Sequence, residues 1–249
     1  MASNDLKGRV AVVTGSARNI GRAIALDLAS AGAAVVVNAR TSTAEAESVA
    51  EEIRKGGGRA AVAMADIADP AGATTLVATA VDAFGRLDIL VNNAAVRREV
   101  DFAELDYREW RAILGTILDG AYLCIHAALP HLIASGSGTI VNIGGVSAYT
   151  GAARRAHVIA AKAGLAGLTR ALAHDLAPHA ITVNCVVPGQ IDTRRASGKE
   201  PAHHAAHAPL VGRRGRPEEI AALVGFLCGP EARYITGQTI HANGGLFMG

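Results

Sequence analysis

Arg155, His157 and Lys162 place three basic side chains within a short stretch that we interpret as helical. Helix positions three, four and seven apart share a face, so Arg155, Val158 and Lys162 are expected on one side. A guanidinium stays protonated, so Arg155 is a poor proton donor but can bind an anionic group such as a carboxylate. Alternatively, Arg155 is a solvated residue of the first helical turn.

Histidine can exchange a proton near neutral pH, which makes His157 a candidate acid. Its position is about 100° around the helix from Val158, which counts against that role. The alternative for His157 is a structural or interface histidine. Ser147 and Tyr149 follow a predicted strand directly, and open α/β sheets bind ligands at that end of their strands. Either side chain could reach a substrate, or both belong to ordinary loop packing.

A glycine-rich turn is the second feature with a chemical use. The first predicted strand ends at Thr14, and residues 15–21 form the turn into a helix. The exposed amides and the dipole at such a helix start hold a pyrophosphate. The alternative is a tight turn needed only for packing.

The end of the second predicted strand bears on which nucleotide is bound. An acidic residue there would bind the ribose 2′-hydroxyl of NAD, but Ala39 occupies the position and Arg40 follows it. Arg40 and Arg18 could together grip a 2′-phosphate through charge-assisted hydrogen bonds. The sequence therefore favours NADP(H), although either arginine could be only a surface charge.

Short apolar runs alternate with helical stretches throughout the chain, a pattern typical of a parallel sheet. Strands that are apolar throughout are buried on both faces, so helices must cover both sides. We therefore predict an α/β single-domain Rossmann fold over residues 1–249, with a doubly wound seven-stranded parallel sheet. The strands are predicted at residues 10–14, 34–38, 60–65, 89–92, 139–143, 182–187 and 239–241.

Composition narrows the function classes. The chain has 249 residues, 50% of them hydrophobic, and a net charge of only +2 without a dense basic stripe, which argues against nucleic acid as a partner. Three widely spaced cysteines suggest neither a disulfide framework nor a zinc site. The absence of a signal core and of a long apolar run predicts a cytoplasmic protein without membrane contact. The segment between Pro201 and Pro209 contains His203, His204 and His207 but no carboxylate or cysteine, so no metal is expected.

Five segments in a fixed order resemble the short-chain dehydrogenase/reductase family. They are TGSARNIG at 14–21, NNAA at 92–95, AAKAGL at 160–165, PGQIDT at 188–193 and YITGQ at 234–238. The resemblance implies NADP(H) or NAD(H) chemistry and a substrate lid at about 190–215. It also implies a homotetramer that uses two long helices, beginning near Tyr107 and Arg154, and the carboxyl-terminal strand ending at residues 241–245. Trp110 on the first of these helices is expected to be a core or interface aromatic.

The resemblance also implies a set of cofactor-binding residues. Asn19 stands where the family has a glycine; asparagine tolerates unusual backbone angles. Asp66 and Ile67 correspond to the adenine contacts and Asn93 and Ala94 to the turn beside the ribose. The complete set is Gly15, Ser16, Arg18, Asn19, Ile20, Gly21, Arg40, Asp66, Ile67, Asn93, Ala94, Lys162, Pro188, Gly189, Ile191 and Thr193.

The family's reaction uses a tyrosine as proton donor, a serine that polarises the carbonyl, an asparagine that holds a water, and a lysine. Counted from the motifs, these positions are Val158, Gly145, Ile117 and Lys162. Only the lysine is present. The candidate catalytic residues are therefore Lys162, His157, Arg155 and Tyr149.

Three functions fit this pattern. The first is an NADPH-dependent oxidoreductase with a non-standard active site, acting on an iminium, an activated alkene or a carbonyl. The second is a non-catalytic NADP(H)-binding scaffold or sensor. The third is a non-redox lyase or isomerase on the same scaffold.

Overall fold

Seven parallel strands form the centre of the protein, as predicted. The computed structural model describes residues 5–193 and 208–249. The strands are β1 (Val10–Val13), β2 (Ala34–Ala39), β3 (Arg59–Met64), β4 (Ile89–Asn92), β5 (Thr139–Ile143), β6 (Thr182–Pro188) and β7 (Thr239–Ala242). They lie in the order β3-β2-β1-β4-β5-β6-β7 and every pairing is parallel.

Helices connect the strands. The α-helices are α1 (Asn19–Ser30), α2 (Thr43–Lys55), α3 (Pro70–Phe84), α4 (Tyr107–Leu114), α5 (Gly120–Ala134), α6 (Ser147–Thr150), α7 (Ala156–Leu176) and α8 (Pro217–Cys228). Short 3₁₀ turns lie at Phe102–Glu104, Ala177–His179 and Pro230–Ala232, and a π-helical segment (Gly115–Asp119) joins α4 to α5.

The alternation of side chains along β1 shows why helices lie on both faces. Ala11 and Val13 belong to a core shared with α1, α2 and α8. Val10 and Val12 point the other way, into a core shared with α3, α5 and α7. All four residues are fully buried. A continuous apolar strand is therefore the sequence that this two-sided sheet requires.

The long helix after Asp106 is interrupted. The π-helical segment shifts the backbone hydrogen bonding for one turn, and such segments often lie at functional sites. Ile117 lies in this segment and is buried, whereas Trp110 on α4 is half-buried.

The continuous helical stretch Tyr107–Ala134 is long and apolar enough, by length and composition, to cross a membrane. These two properties are weak support for a span, because a core helix has them too. Cys124, Ala128 and Leu132 of this stretch are buried in the core beside the sheet. Packing against the sheet accounts for the apolar character of these three residues.

The order of the strands predicts where ligands bind. The chain proceeds outward from β1 through β2 to β3, and then returns to place β4 on the other side of β1. In open α/β sheets, ligands occupy the crevice at this reversal, beside the carboxyl ends of the strands.

Candidate active site

The glycine-rich turn after β1 leaves no room for larger residues. Gly15 has a φ of +61°, and a Cβ there would lie 2.9 Å from the Cα of Ala94. A Cβ on Gly21 would lie 2.5 Å from Nδ2 of Asn93. Asn19 takes a φ of +54°, so the asparagine adopts the left-handed backbone expected where the family has glycine.

Helix α1 begins at this turn. Its N-cap is Arg18, whose side chain makes no capping hydrogen bond. The amides of the first turn therefore suit an anionic group such as a pyrophosphate.

Ser16 and Asn38 brace the turn from inside the protein. The Ser16 hydroxyl donates to the carbonyl of Val13 at 2.7 Å and accepts from the Asn38 amide at 2.9 Å. Oδ1 of Asn38 accepts from the Gly15 amide at 3.0 Å. Because Ser16 is fully buried, its side chain shapes the turn instead of facing a nucleotide. The role of Asn38 was missed, although a polar residue in an otherwise apolar strand signals it.

The adenosine side carries the two predicted arginines. An Nη of Arg40 lies 3.7 Å from Asp66, and an Nη of Arg18 lies 3.9 Å from Glu45. Both guanidiniums are more than half exposed, and such loose surface pairs contribute little stability. Either arginine can therefore exchange its partner for a phosphate. Ile67, the predicted adenine contact, is buried in the core that α3 and α5 cover.

The turn after β4 is held against the glycine-rich turn. The Thr14 hydroxyl accepts from the amides of Asn93 and Ala94, at 2.9 and 3.0 Å. The Asn93 side chain donates to the carbonyls of Thr14 and Gly15. These bonds fix the predicted ribose-side turn at the edge of the site.

A cavity of about 600 Å³ lies at the carboxyl ends of β4, β5 and β6. Its walls unite predicted cofactor residues with predicted catalytic residues. They include Ile20, Asn93, Gly145, Ser147, Arg155, Val158, Lys162, Pro188, Gly189 and Ile191. Thr193 lies two residues past Ile191, outside this lining.

Lys162 is a buried ionisable residue of the cavity lining. It is only 8% exposed, and its ammonium donates a hydrogen bond to the carbonyl of Ile143. Burial lowers the pKa of Lys162 to about 7, and the charges of Arg97 and Arg155 contribute in the same direction. Desolvation disfavours the charged amine.

The positions beside Lys162 are apolar. Val158 precedes it by one helical turn and belongs to a buried cluster with Ile117. Gly145 faces open space, because a Cβ there would have as its nearest contact Cγ of Lys162 at 4.0 Å. A serine would therefore fit at position 145, yet the chain has none.

Arg155 lines the cavity, but two other candidates do not. His157 is fully buried on α7 outside the cavity lining, and its burial lowers its pKa, so it is neutral at pH 7. Tyr149 turns away from the cavity: its ring packs against His241 and Phe247, with centroids 4.6 and 5.2 Å apart. These positions do not support the suggestion that His157 acts as the acid or the suggestion that Tyr149 reaches the substrate.

Comparison with known proteins decides the family. The family model described as "Enoyl-(Acyl carrier protein) reductase" matches residues 15–247. The chain is 40% identical to the 3-oxoacyl-(acyl-carrier-protein) reductase FabG of Staphylococcus aureus over 240 residues, covering 96% of this chain and 98% of that protein. The chain belongs to the short-chain dehydrogenase/reductase family.

Other members of this family share its full length. The short-chain reductase protein NovJ of Streptomyces niveus is 41% identical, covering 95% of this chain and 93% of that protein. The crystal structure of a short-chain dehydrogenase from Burkholderia cenocepacia in complex with NADP superposes with a TM-score of 0.90 at 38% identity. That superposition covers 97% of this chain and 98% of the other.

One cavity residue of this short-chain dehydrogenase/reductase escaped the sequence analysis. Arg97 lines the cavity from the loop after β4, two residues past the NNAA segment. Its proximity to that segment was a usable signal, but two consecutive arginines in a loop usually indicate a solvated surface.

The predicted lid falls mainly outside the described residues, since these omit residues 194–207. His203, His204 and His207 lie in that omitted part. Two hydrogen bonds join the described ends of the segment. The Asp192 amide donates to the carbonyl of Gly215 at 2.8 Å, and the Gly215 amide donates to the carbonyl of Gln190 at 2.9 Å. The three cysteines are free and buried.

Proposed function

We propose that this short-chain dehydrogenase/reductase is an NADPH-dependent reductase that works without a tyrosine as proton donor. The observation that carries the proposal is the contrast between two halves of one site. The glycine-rich turn keeps the shape of a nucleotide cradle, whereas Val158 and Ile117 form an apolar wall beside Lys162.

NADP(H) fits the residues of this cradle. The close contacts of Gly15 and Gly21 and the uncapped start of α1 suit a pyrophosphate. Arg18 and Arg40 supply the positive charge that a 2′-phosphate needs, and Ala39 replaces the carboxylate that would repel it. The NADP complex of the Burkholderia cenocepacia relative supports this choice.

The apolar wall determines which substrates suit the site. Bound NADPH supplies a hydride to an electrophilic carbon. Val158 and Ile117 exclude water and offer no proton, so an iminium, which already carries its proton, suits this wall. An activated alkene also suits it, because the resulting enolate can be protonated elsewhere.

A carbonyl substrate requires a proton at its oxygen. Relatives named 3-oxoacyl-(acyl-carrier-protein) reductases support a carbonyl substrate. With a pKa of about 7, the Lys162 ammonium can donate a proton at neutral pH. Lys162 therefore replaces the tyrosine as acid if the substrate is a carbonyl.

A non-catalytic NADP(H)-binding scaffold is the second candidate, and the buried Ile117 and Val158 favour it. Lys162→Ala separates the two. A reductase loses most of its hydride transfer in this variant, whereas a scaffold loses only nucleotide affinity. Lys55→Ala is the control, because Lys55 is an exposed residue paired with Glu51. Unchanged turnover in Lys162→Ala would contradict the assigned role of Lys162.

We also propose that residues 190–215 cover the substrate and that the protein is a cytoplasmic homotetramer. The hydrogen bonds between Asp192, Gly215 and Gln190 hold the two described ends of this segment together, which supports a single covering segment. Exposed aromatic residues on α4 and α5, Tyr107 and Tyr122, support an interface. Protease cleavage within residues 194–207 should slow when NADP⁺ and substrate are bound; equal cleavage rates would contradict a lid.

A further inference from the structure

Two loops carrying arginines are tied together at the mouth of the cavity. The Val100 amide donates to the carbonyl of Arg154 at 2.9 Å, and Nε of Arg154 lies 3.3 Å from Oδ1 of Asp101. Arg154 takes a φ of +62°, a conformation that non-glycine residues rarely adopt. This connection places the loop after β4, with Arg97, beside the start of α7, with Arg155.

The described walls of the cavity carry an excess of positive charge. The basic lining residues are Arg97, Arg154, Arg155 and Lys162, and the acidic one is Glu99. Arg154 has its own partner in Asp101, which lies outside the lining. The described lining therefore holds four basic side chains and one acidic side chain.

The positive groups converge on one region. Arg97, Arg155 and Lys162 line the same cavity. In keeping with this, the charges of both arginines lower the pKa of Lys162. An anion bound between these groups would reduce that repulsion. The adjoining walls at Val146, Val158 and Leu246 are apolar, which suits an organic group attached to the anion.

We propose that the substrate carries a carboxylate, which Arg97 and Arg155 bind while the apolar walls hold the rest of the molecule. This inference rests on the proposed reductase function and names its substrate class. A guanidinium binds a carboxylate through two parallel hydrogen bonds, which fix orientation as well as position. Holding the carboxylate at the cavity mouth directs the attached electrophilic carbon inward toward Lys162.

The phosphates of the nucleotide do not account for these arginines. The start of α1 suits the pyrophosphate, and Arg18 and Arg40 suit the 2′-phosphate. Arg97 and Arg155 instead approach the cavity from the loop after β4 and from the start of α7.

Binding can be measured without turnover, so that this inference and the proposed function can fail separately. Benzoate, benzamide and phenyl phosphate are titrated calorimetrically into the full-length protein, with and without saturating NADP⁺. The variants are Arg155→Gln and Arg97→Gln. Arg98→Gln is the matched control, because Arg98 neighbours Arg97 but pairs with Glu109 outside the cavity.

Benzoate should bind at least about tenfold more tightly than benzamide, and each of the two cavity variants should remove most of that difference. Arg98→Gln should bind like the wild type. Equal affinity for benzoate and benzamide in the wild type would overturn the inference even if a variant failed to fold. Preference for phenyl phosphate over benzoate would also overturn it, in favour of a phosphorylated substrate. Benzoate binding without any hydride transfer would leave the carboxylate site standing and count against the reductase.

Discussion

Ile117 and Val158 pack in one buried cluster, although they lie on different elements and 41 positions apart in the chain. Each is only 2% exposed. Both occupy positions that the family resemblance assigns to polar residues of a proton path. Having apolar residues at both positions is consistent, because a polar group at only one of them would be buried without a partner. The apolar wall is therefore a coherent feature of the site.

Restoring the missing acid should restore carbonyl chemistry. We expect Gly145→Ser with Val158→Tyr to reduce simple ketones with NADPH, because position 145 has room for a side chain and Val158 lines the cavity. The enlarged residue should cost about 1–3 kcal/mol of unfolding free energy. Ketone turnover is measured by NADPH oxidation.

The control for that experiment is Gly145→Ser with Val158→Phe, which adds the ring without the hydroxyl. Comparable ketone reduction by the phenylalanine variant would show that a hydroxyl at position 158 is not what the site lacks.

The sheet could be predicted from sequence because buried parallel strands are continuously apolar. The glycine-rich turn could be predicted because residues close together in the sequence determine its shape. Arg97 could not be placed, because its loop is held beside the start of α7 by the hydrogen bond between Val100 and Arg154. These two residues are 54 positions apart in the chain. The direction of Tyr149 depends on the four-residue helix α6, which has no periodic signal. Contacts between loops that are far apart in the chain therefore leave no pattern in the local sequence.

Lys162 should make the stability of the protein depend on pH. The pKa of Lys162 is about 7 in the folded protein, below its ordinary value of 10.5, so between these pH values the unfolded chain binds more protons. The free energy of unfolding therefore rises with pH in this window. From pH 7 to 9 the rise should be up to about 2 kcal/mol more in the wild type than in Lys162→Met.

Urea unfolding of both proteins at pH 7, 8 and 9 measures this difference. Parallel pH profiles for the wild type and Lys162→Met would contradict a folded-state pKa near neutral.

Arg40 should select the nucleotide. Arg40→Ala is expected to weaken NADPH binding about tenfold and to leave NADH binding nearly unchanged, because only NADPH carries the 2′-phosphate. Arg54→Ala is the control, because Arg54 is an exposed residue of α2 that pairs with Glu47. Nucleotide affinity is read from the fluorescence of the reduced nicotinamide. Equal losses for both nucleotides would show that Arg40 does not contact the 2′-phosphate.

Assembly should depend on the exposed face of α5. Light scattering after gel filtration should give four times the chain mass of 25.4 kDa for the wild type and a smaller mass for Tyr122→Glu. Tyr122 is 53% exposed in the single chain, so the substitution spares the core. Met64→Glu, at the end of the edge strand β3, is the control and should remain tetrameric. A monomeric wild type would refute the assembly.

Transfer of label from NADPH tests the central claim most directly. The protein is incubated with NADPH deuterated at C4 and one substrate class at a time: ketones, cyclic imines or enones. Each class includes members with and without a carboxylate, and the products are analysed by mass spectrometry. We predict deuterium on carbon in at least one product class, with carboxylated members labelled fastest. Saturable NADPH binding without deuterium in any product would contradict the reductase and favour a non-catalytic scaffold.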